Sequence, residues 1–345
     1  MKAMVLHAPK TPFVLEERPD PKPGRDEAVA RVFACGAGLT IEHIRAGRVP
    51  FATFPRIIGH EISAEIVEVG PDVKSLKVGD PVTCYFYTGC GHCRYCLTQR
   101  IPLCLNPGPR IGYQVDGGYA EYIKMPEENF LKLPAGLDHR GRAAEVAVIA
   151  DALATPFKVV RRAKIEPLET VAVVGAGGGL GIHMIKMARW AGARVIAVER
   201  SAKKFQACRE AGAEAVVDAG GNDVVGAVMD ATGGKGCDVV IDFVSSTQSL
   251  EAGFNYLGVA GRLVTLGGAG VDFTIAANKL LNKEACVMGS RYATKQEVLD
   301  TLALAASGAV WPLVTEIYPL AEAQKAHERV AAGEVIGRAA LQIAS

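Results

Sequence analysis

The strongest constraint on how this chain can fold is a glycine-rich turn between an apolar strand and a helix. The turn follows the apolar run 171–174, and its candidate cofactor-binding residues are Gly175, Gly177, Gly178, Gly179, Leu180 and Gly181. Glycine suits such a turn because the backbone must bend tightly, approach a pyrophosphate closely and pack the helix against the strand. The turn has one residue more than the G-x-G-x-x-G pattern. The preceding strand and an acid downstream are therefore needed to predict a dinucleotide site.

That acid is Glu199, at the end of the next strand. A carboxylate at this position accepts hydrogen bonds from the ribose hydroxyls and repels a 2′-phosphate, which favours NAD(H). The adjacent Arg200 leaves NADP(H) open, because a guanidinium can stack on adenine or meet the 2′-phosphate.

Strand and helix patterns alternate from about residue 153. Strands are predicted at 171–174, 195–199, 215–217, 239–243, 262–266 and 285–288, and helices at 179–191 and 202–211. This alternation predicts an α/β fold with a doubly wound, six-stranded parallel sheet. Residues 1 to about 150 instead show short strand-like segments separated by turns, which predicts an all-β unit. The last segment, 292–345, returns to helix and strand and could fold back onto that unit.

Composition excludes several classes of protein. The chain has 345 residues, 49% of them hydrophobic and 22% charged, with a formal net charge of +1. This length suggests about two domains, and the balanced charge disfavours nucleic-acid binding. Neither a secretory leader nor an apolar run of about 18 residues is found, so we expect a cytoplasmic protein that does not enter a membrane.

Four of the nine cysteines are clustered. They form the pattern Cys-x2-Cys-x2-Cys-x7-Cys at Cys90, Cys93, Cys96 and Cys104. Four thiolates can fill every position around a tetrahedral zinc ion, which braces a loop and leaves no place for a substrate. An iron–sulfur cluster is the alternative, although the fourth cysteine lies far along the chain for that motif.

The order of several short motifs resembles the zinc-dependent alcohol dehydrogenases of the medium-chain dehydrogenase/reductase superfamily. These motifs are Gly59-His60-Glu61, the cysteine lobe, 116–122, the glycine-rich turn and Ile336-Gly337-Arg338. The resemblance implies a GroES-like catalytic domain formed by residues 1–152 and 292–345, and a Rossmann NAD(H)-binding domain at 153–291. It also implies an alcohol or carbonyl substrate and assembly as a homodimer or homotetramer.

The same resemblance suggests roles for individual residues. Thr40 and His43 match a proton relay, His60 the second catalytic zinc ligand, and Glu61 a nearby alternate carboxylate ligand. Asp151 falls where the family places its third ligand. Lys204 matches a ribose-binding lysine, and Arg338 an arginine near the pyrophosphate.

The chain departs from this family pattern at Gly38, which stands where a cysteine should be the first catalytic zinc ligand. Glycine offers no ligand atom. Either the catalytic metal is absent, or a metal is held by His60, Asp151 and Glu61, with Cys35 or His43 as a further candidate.

Three functions follow from this departure. The first is hydride transfer between NAD(H) and an alcohol or its ketone or aldehyde. Without a metal, proton transfer would fall to Thr40 with His43, or to His60 with Asp151. The second is reduction of an α,β-unsaturated carbonyl at its β-carbon, and the third is nucleotide binding without catalysis. Four aromatic residues are candidates to line an apolar substrate pocket, namely Phe51, Phe54, Phe86 and Tyr113.

Overall fold

A computed structural model describes residues 1–267 and 270–344. The chain forms two compact units, one containing residues 1–154 and 293–345 and the other residues 155–292. These limits lie within two residues of the predicted domain limits. Among the described residues, no helix combines the length and apolar character needed to cross a membrane.

The first segment contains eight strands and three α-helices. The strands are β1 (Lys2–Leu6), β2 (Phe13–Glu17), β3 (Glu27–Ala37), β4 (Arg56–Ile57), β5 (Ile62–Val69), β6 (Pro81–Cys84), β7 (Tyr122–Pro126) and β8 (Phe130–Lys132). The helices are α1 (Leu39–Arg45), α2 (Arg94–Leu97) and α3 (Ala143–Val148). The all-β prediction for this region was therefore incomplete, because α1 and the alanine-rich α3 also contribute buried residues.

The middle segment alternates strands and helices. In chain order it contains α4 (Ala154–Ala163), β9 (Thr170–Val174), α5 (Gly181–Trp190), β10 (Arg194–Glu199), α6 (Phe205–Glu210), β11 (Ala215–Asp218), α7 (Val224–Ala231), β12 (Cys237–Asp242), α8 (Thr247–Asn255), β13 (Leu257–Thr265), α9 (Ala277–Lys283) and β14 (Cys286–Gly289). The last segment contains α10 (Lys295–Ala306), β15 (Val314–Pro319), α11 (Ala323–Ala331) and β16 (Arg338–Gln342).

The second unit is built on a parallel sheet in the order β11-β10-β9-β12-β13-β14. Its central strand β9, with the sequence Thr-Val-Ala-Val-Val, is buried from its second residue onward, as expected for a strand covered on both faces. The predicted six-stranded doubly wound sheet is confirmed. Its strand order reverses between β9 and β12, and in such folds ligands bind beyond the carboxyl ends of the strands at that point.

The first unit is built on a mixed sheet in the order β15-β16-β3-β5-β6-β8, with β7 also paired to β3. A second sheet contains β2, β1 and β4. β16 runs antiparallel to β3 and places Leu341 opposite Cys35. The C-terminal segment therefore folds back onto the first segment of the chain, and it brings Arg338 next to the end of β3.

Candidate active site

A tight turn before β5 brings His60 and Glu61 into the interior of the first unit. Gly59 has a φ of +98°, and a Cβ built on it would lie 2.4 Å from Cδ1 of Tyr119. Only glycine is compatible with this backbone and this packing. His60 and Glu61, which follow at once, are both 2% exposed.

Asp151 reaches the same place from a different element. It lies in a single π-helical turn, Ile149–Leu153, between α3 and α4. Such π turns are frequent at functional sites because they redirect a side chain. His60 Nε2 lies 3.6 Å from Asp151 Oδ2. One ligand atom from each of His60, Glu61 and Asp151 lies within 4.8 Å of the others. In the described part of the chain, neither Cys35 nor His43 belongs to this group.

Arg338, at the start of β16, completes the cluster. It is 6% exposed, its Nη2 donates a hydrogen bond to Glu61 Oε1, and the same atom lies 3.5 Å from Asp151 Oδ2. Burial raises the pKa of Glu61 to about 8, and the nearby guanidinium acts in the opposite direction. The resemblance had suggested that Arg338 contacts the pyrophosphate, which remains a prediction. In this structure its partners are two carboxylates.

The guanidinium also occupies the space beside Gly38. An ideal Cβ on Gly38 would lie 2.2 Å from Nη1 and 2.9 Å from Cζ of Arg338. Real Cβ atoms are not found so close to other heavy atoms, so any side chain at residue 38 would have to displace the guanidinium. The guanidinium of Arg338 can therefore lie here only because residue 38 has no side chain.

The donor set can be compared with what a catalytic metal needs. Both ring nitrogens of His60 and Oε2 of Glu61 are buried and, among the described residues, without a hydrogen-bond partner, so their lone pairs are available to a ligand. One imidazole and two carboxylates can bind a divalent ion. However, Gly38 supplies no thiolate, and a cation already contacts one carboxylate and lies near the other. The residues present do not fit the three-ligand thiolate centre that the resemblance implied.

Aromatic rings wall one side of His60. Its ring centroid lies 4.3 Å from that of Phe86 and 5.4 Å from that of Tyr113. Tyr113 in turn stacks on Phe51 at 5.9 Å between centroids. Three of the four aromatic residues proposed from the sequence thus form one group with His60, which Phe51 joins through Tyr113. Within the described ranges, no ring contact connects Phe54 to this group.

The four clustered cysteines form a separate lobe. The Sγ atom of Cys93 lies 3.6 Å from that of Cys96 and 3.8 Å from that of Cys104. The Sγ atoms of Cys90 and Cys96 are 4.0 Å apart. Four thiolates about 2.3 Å from one zinc ion would have Sγ···Sγ separations of about 3.8 Å. Backbone N–H groups, first that of Leu105, lower the pKa of Cys93 to about 6 and so favour its thiolate. The donor set and its spacing fit a structural zinc ion.

The glycine-rich turn lies at the carboxyl end of β9. Gly175 has a φ of +74°, and the backbone N–H of Gly177 donates to Glu199 Oε2 at 2.7 Å. The second carboxylate oxygen, Oε1, accepts from the backbone N–H of Ser201 at 2.9 Å. A Cβ on Gly177 would lie 2.6 Å from Cβ of Lys204, so this loop has room only for glycine there.

A cavity of about 590 Å³ opens beside this turn in the second unit. Its lining includes Gly175, Glu199, Arg200 and Ser246, which end or follow strands on both sides of the point where the strand order reverses. This is where an α/β sheet binds a nucleotide, and the glycines of the turn, which carry no Cβ, let the backbone come close to a pyrophosphate. Leu180 precedes α5, and Gly178 and Gly179 complete the turn.

Comparison with known proteins identifies the family. The family model described as Zinc-binding dehydrogenase matches residues 179–307, and the model described as Alcohol dehydrogenase GroES-like domain matches residues 24–135. An NAD-dependent alcohol dehydrogenase of Sulfurisphaera tokodaii is 33% identical over 351 positions that cover 99% of each chain. This chain belongs to the medium-chain dehydrogenase/reductase superfamily. It is an oxidoreductase of the medium-chain type.

Other members of the superfamily are almost as similar. The alcohol dehydrogenase of the archaeon Aeropyrum pernix has a crystal structure that superimposes with a TM-score of 0.91, at 31% identity, over 99% of this chain and 100% of the other. An acryloyl-coenzyme A reductase of S. tokodaii is 30% identical and covers 98% of both chains. The superfamily therefore includes relatives named for two different reactions, alcohol dehydrogenation and the reduction of acryloyl-coenzyme A.

The proposed relay residues of this medium-chain dehydrogenase lie on α1. Thr40 is exposed and His43 is half-buried, and burial lowers the pKa of His43 with a smaller contribution from Arg48. Within the described residues, no hydrogen bond joins either side chain to His60 or Asp151. The relay remains a prediction.

Sequence reasoning missed one residue near the aromatic group. The guanidinium carbon of Arg110 lies 4.4 Å from the ring centroid of Phe51 and 4.7 Å from that of Tyr87. Arg110 directly precedes the segment that contains Tyr113, but no motif marks it. Only the fold shows that these rings share one cation.

Proposed function

We propose that this medium-chain dehydrogenase transfers a hydride between NAD(H) and an alcohol or its carbonyl product. The observation that supports this most directly is the pair formed by the buried His60 and the largely buried Asp151, with His60 Nε2 3.6 Å from Asp151 Oδ2 and the His60 ring packed against Phe86 and Tyr113. An acid/base pair beside an apolar wall suits a small substrate that is largely apolar.

The chemistry divides between cofactor and protein. Bound NADH supplies the hydride in the reducing direction, and NAD⁺ accepts it in the oxidising direction. His60 and Asp151 hold the proton that the carbonyl oxygen takes up as its carbon receives the hydride. In the reverse direction the same pair takes the hydroxyl proton. The flanking rings exclude water, which strengthens the interaction between this pair and the developing alkoxide.

A second candidate is the reduction of an α,β-unsaturated carbonyl compound. The hydride then adds to the β-carbon, and the α-carbon takes up a proton. Two observations favour this candidate, namely the missing donor at Gly38 and the similarity to a relative named acryloyl-coenzyme A reductase. The reaction needs a proton donor more than it needs a Lewis acid at the oxygen.

The cofactor proposal rests on Glu199. Its carboxylate lies on the rim of the nucleotide-sized cavity, where it would meet the ribose hydroxyls and repel a 2′-phosphate. Lys204 would contact the same ribose. Burial lowers the pKa of Lys204, and the nearby Glu199 acts in the opposite direction with a smaller effect. We further propose a structural zinc ion in the cysteine lobe. We also propose that the protein assembles into a dimer or tetramer, and mass photometry would test the number of subunits.

The test is a substrate panel. Purified protein is mixed with NADH and either a saturated ketone or a conjugated enone of similar size, and NADH oxidation is followed at 340 nm. Oxidation with the ketone supports the first proposal, and oxidation with the enone alone supports the second. Binding of NADH without turnover of any compound would contradict both and would favour a nucleotide-binding protein without catalysis.

A further inference from the structure

We infer that Arg338 is a built-in cation that takes the place of a metal ion between His60, Glu61 and Asp151, and that Gly38 is the residue that makes room for it. This inference concerns the same site as the proposed function. The test of this inference measures bound metal ions and not turnover. The inference can therefore fail although hydride transfer is observed, and it can be supported although no substrate is turned over.

The first step of the argument is space. The nearest heavy atoms to an ideal Cβ on Gly38 all belong to the Arg338 guanidinium, at 2.2, 2.9 and 3.0 Å. A cysteine at residue 38 would aim its sulfur from that same Cβ. The thiolate and the guanidinium are therefore alternative occupants of one small volume.

The second step is charge. Glu61 is buried and the side chain of Asp151 is 14% exposed; together the two carboxylates contribute up to two negative charges, and Arg338 brings one positive charge to both of them. Carboxylates are retained in protein interiors only when a cation or hydrogen bonds compensate them. A guanidinium cannot lose its proton in a protein, so this compensation is permanent. A divalent ion entering the site would be repelled by Arg338 and would have to displace it.

The third step is that the compensation is incomplete for the imidazole. Neither ring nitrogen of His60 has a hydrogen-bond partner among the described residues, and Oε2 of Glu61 also lacks one. The ring nitrogens of His60 and Oε2 of Glu61 could each bind a cation, but Arg338 donates no hydrogen bond to them. The cluster thus keeps the geometry of a cation site while its own arginine satisfies only part of it.

The experiment adds Co²⁺ to protein whose cysteine lobe is already filled with zinc, and then measures bound cobalt per chain after equilibrium dialysis. We expect the wild-type protein to bind essentially no cobalt. Arg338→Gln removes the cation and leaves both carboxylates, so we expect about one cobalt per chain. Arg338→Lys keeps a positive charge and frees some space. We expect the lysine variant to bind cobalt at least about 10-fold more weakly than the glutamine variant. Cobalt must break the ion pair between the lysine and the carboxylates, and the loss of one ion pair corresponds to roughly that factor.

A second pair of variants guards against misfolding of the glutamine variant. Gly38→Cys and Gly38→Ala both introduce a Cβ that displaces the guanidinium, but only cysteine adds a thiolate. We expect Gly38→Cys to bind about one cobalt with an intense thiolate-to-cobalt absorption band, and Gly38→Ala to bind it more weakly and without that band.

Three outcomes would overturn the inference. The first is a wild-type protein that binds one cobalt per chain which Asp151→Asn abolishes. The second is equal binding by Arg338→Lys and Arg338→Gln, because charge would then not be what excludes the ion. The third is a folded Gly38→Cys protein that binds no cobalt.

Discussion

The backbone N–H of Gly177 donates a 2.7 Å hydrogen bond to the side chain of Glu199, so the glycine-rich turn is tied to the end of the neighbouring strand. Glu199 is 7% exposed, and its other oxygen accepts the N–H of Ser201. The residue that we expect to select the cofactor therefore also holds the loop that would bind its pyrophosphate. Cofactor preference and loop geometry should change together.

Replacing Glu199 with glutamine removes the charge while keeping the size of the side chain. We expect the dissociation constant for NADH to rise about 10-fold or more, since a hydrogen bond to a charged group is worth about 1.5–3 kcal/mol. NADPH should bind more tightly than to the wild type, because the carboxylate no longer repels its phosphate. Fluorescence titration measures both constants. Glu214→Gln, an exposed residue that pairs with Arg189 and Arg194, is the control, and an unchanged NADH-to-NADPH ratio in Glu199→Gln would contradict the assignment.

The cysteine lobe should depend on its metal. In Cys93→Ser one thiolate is lost, and we expect the zinc content to fall from about one ion per chain toward zero. The loop should become sensitive to trypsin at Arg94 and Arg100. We also expect Tm to fall by about 4 °C or more, because 1 kcal/mol shifts Tm by about 2–4 °C in a unit of this size. Plasma mass spectrometry and differential scanning calorimetry measure these effects. Cys286→Ser changes an exposed cysteine outside the lobe and should keep its zinc.

Asp151→Asn tests the proposed proton transfer. The substitution keeps the shape of the side chain but removes its ability to stabilise a proton on His60, so we expect kcat/KM to fall about 10²–10⁴-fold. The dissociation constant for NADH should stay within about twofold, because the cofactor proposal rests on the other unit of the chain. Steady-state kinetics on the compound that the panel identifies gives the first quantity. His7→Gln changes an exposed histidine and serves as the control. A loss of activity smaller than threefold in Asp151→Asn would remove Asp151 from the mechanism.

His327 should make the protein less stable in mild acid. The side chain is fully buried, its Nε2 lies 2.8 Å from the hydroxyl of Tyr119, and Phe13 packs on the ring. Burial, with a smaller contribution from Arg45, lowers the pKa of His327 from 6.5 to about 3. Between these two pH values the unfolded chain binds a proton that the folded chain does not. The free energy of unfolding therefore falls as the pH falls, by up to about 1.4 kcal/mol per pH unit.

His327→Gln isolates this effect. The variant will be less stable than the wild type at pH 7, but we expect the difference to shrink by about 2 kcal/mol at pH 5, since only the wild type has the buried imidazole. Urea unfolding at the two pH values gives both free energies. Phe13→Leu disturbs the same packing without removing a titrating group, so its destabilisation should be the same at both pH values. A constant difference between the wild type and His327→Gln would show that His327 is not the source.

Much of the fold could be predicted because its signals are local. The apolar runs of the second unit are short and rich in β-branched residues, and the segments between them have helical periodicity. Together they require a parallel sheet with crossover helices. The cysteine spacing likewise predicts one metal lobe, since two cysteines separated by two residues can bind one ion. The helices of the first unit were missed because the alanine-rich segment of α3 carries little periodic contrast between polar and apolar residues.

The sequence by itself thus determined the sheet of the second unit, the glycine-rich turn, the cysteine lobe and the absence of a donor at Gly38. Each depends on residues close together along the chain, whose turn chemistry and periodicity act locally. Only the tertiary structure decided where Arg338 lies. Its partner Glu61 is 277 positions away, and the two meet because β16 folds back against β3 and because glycine leaves a guanidinium-sized space. Contacts of that range depend on the path of the whole chain and on side-chain rotamers, which no local pattern specifies.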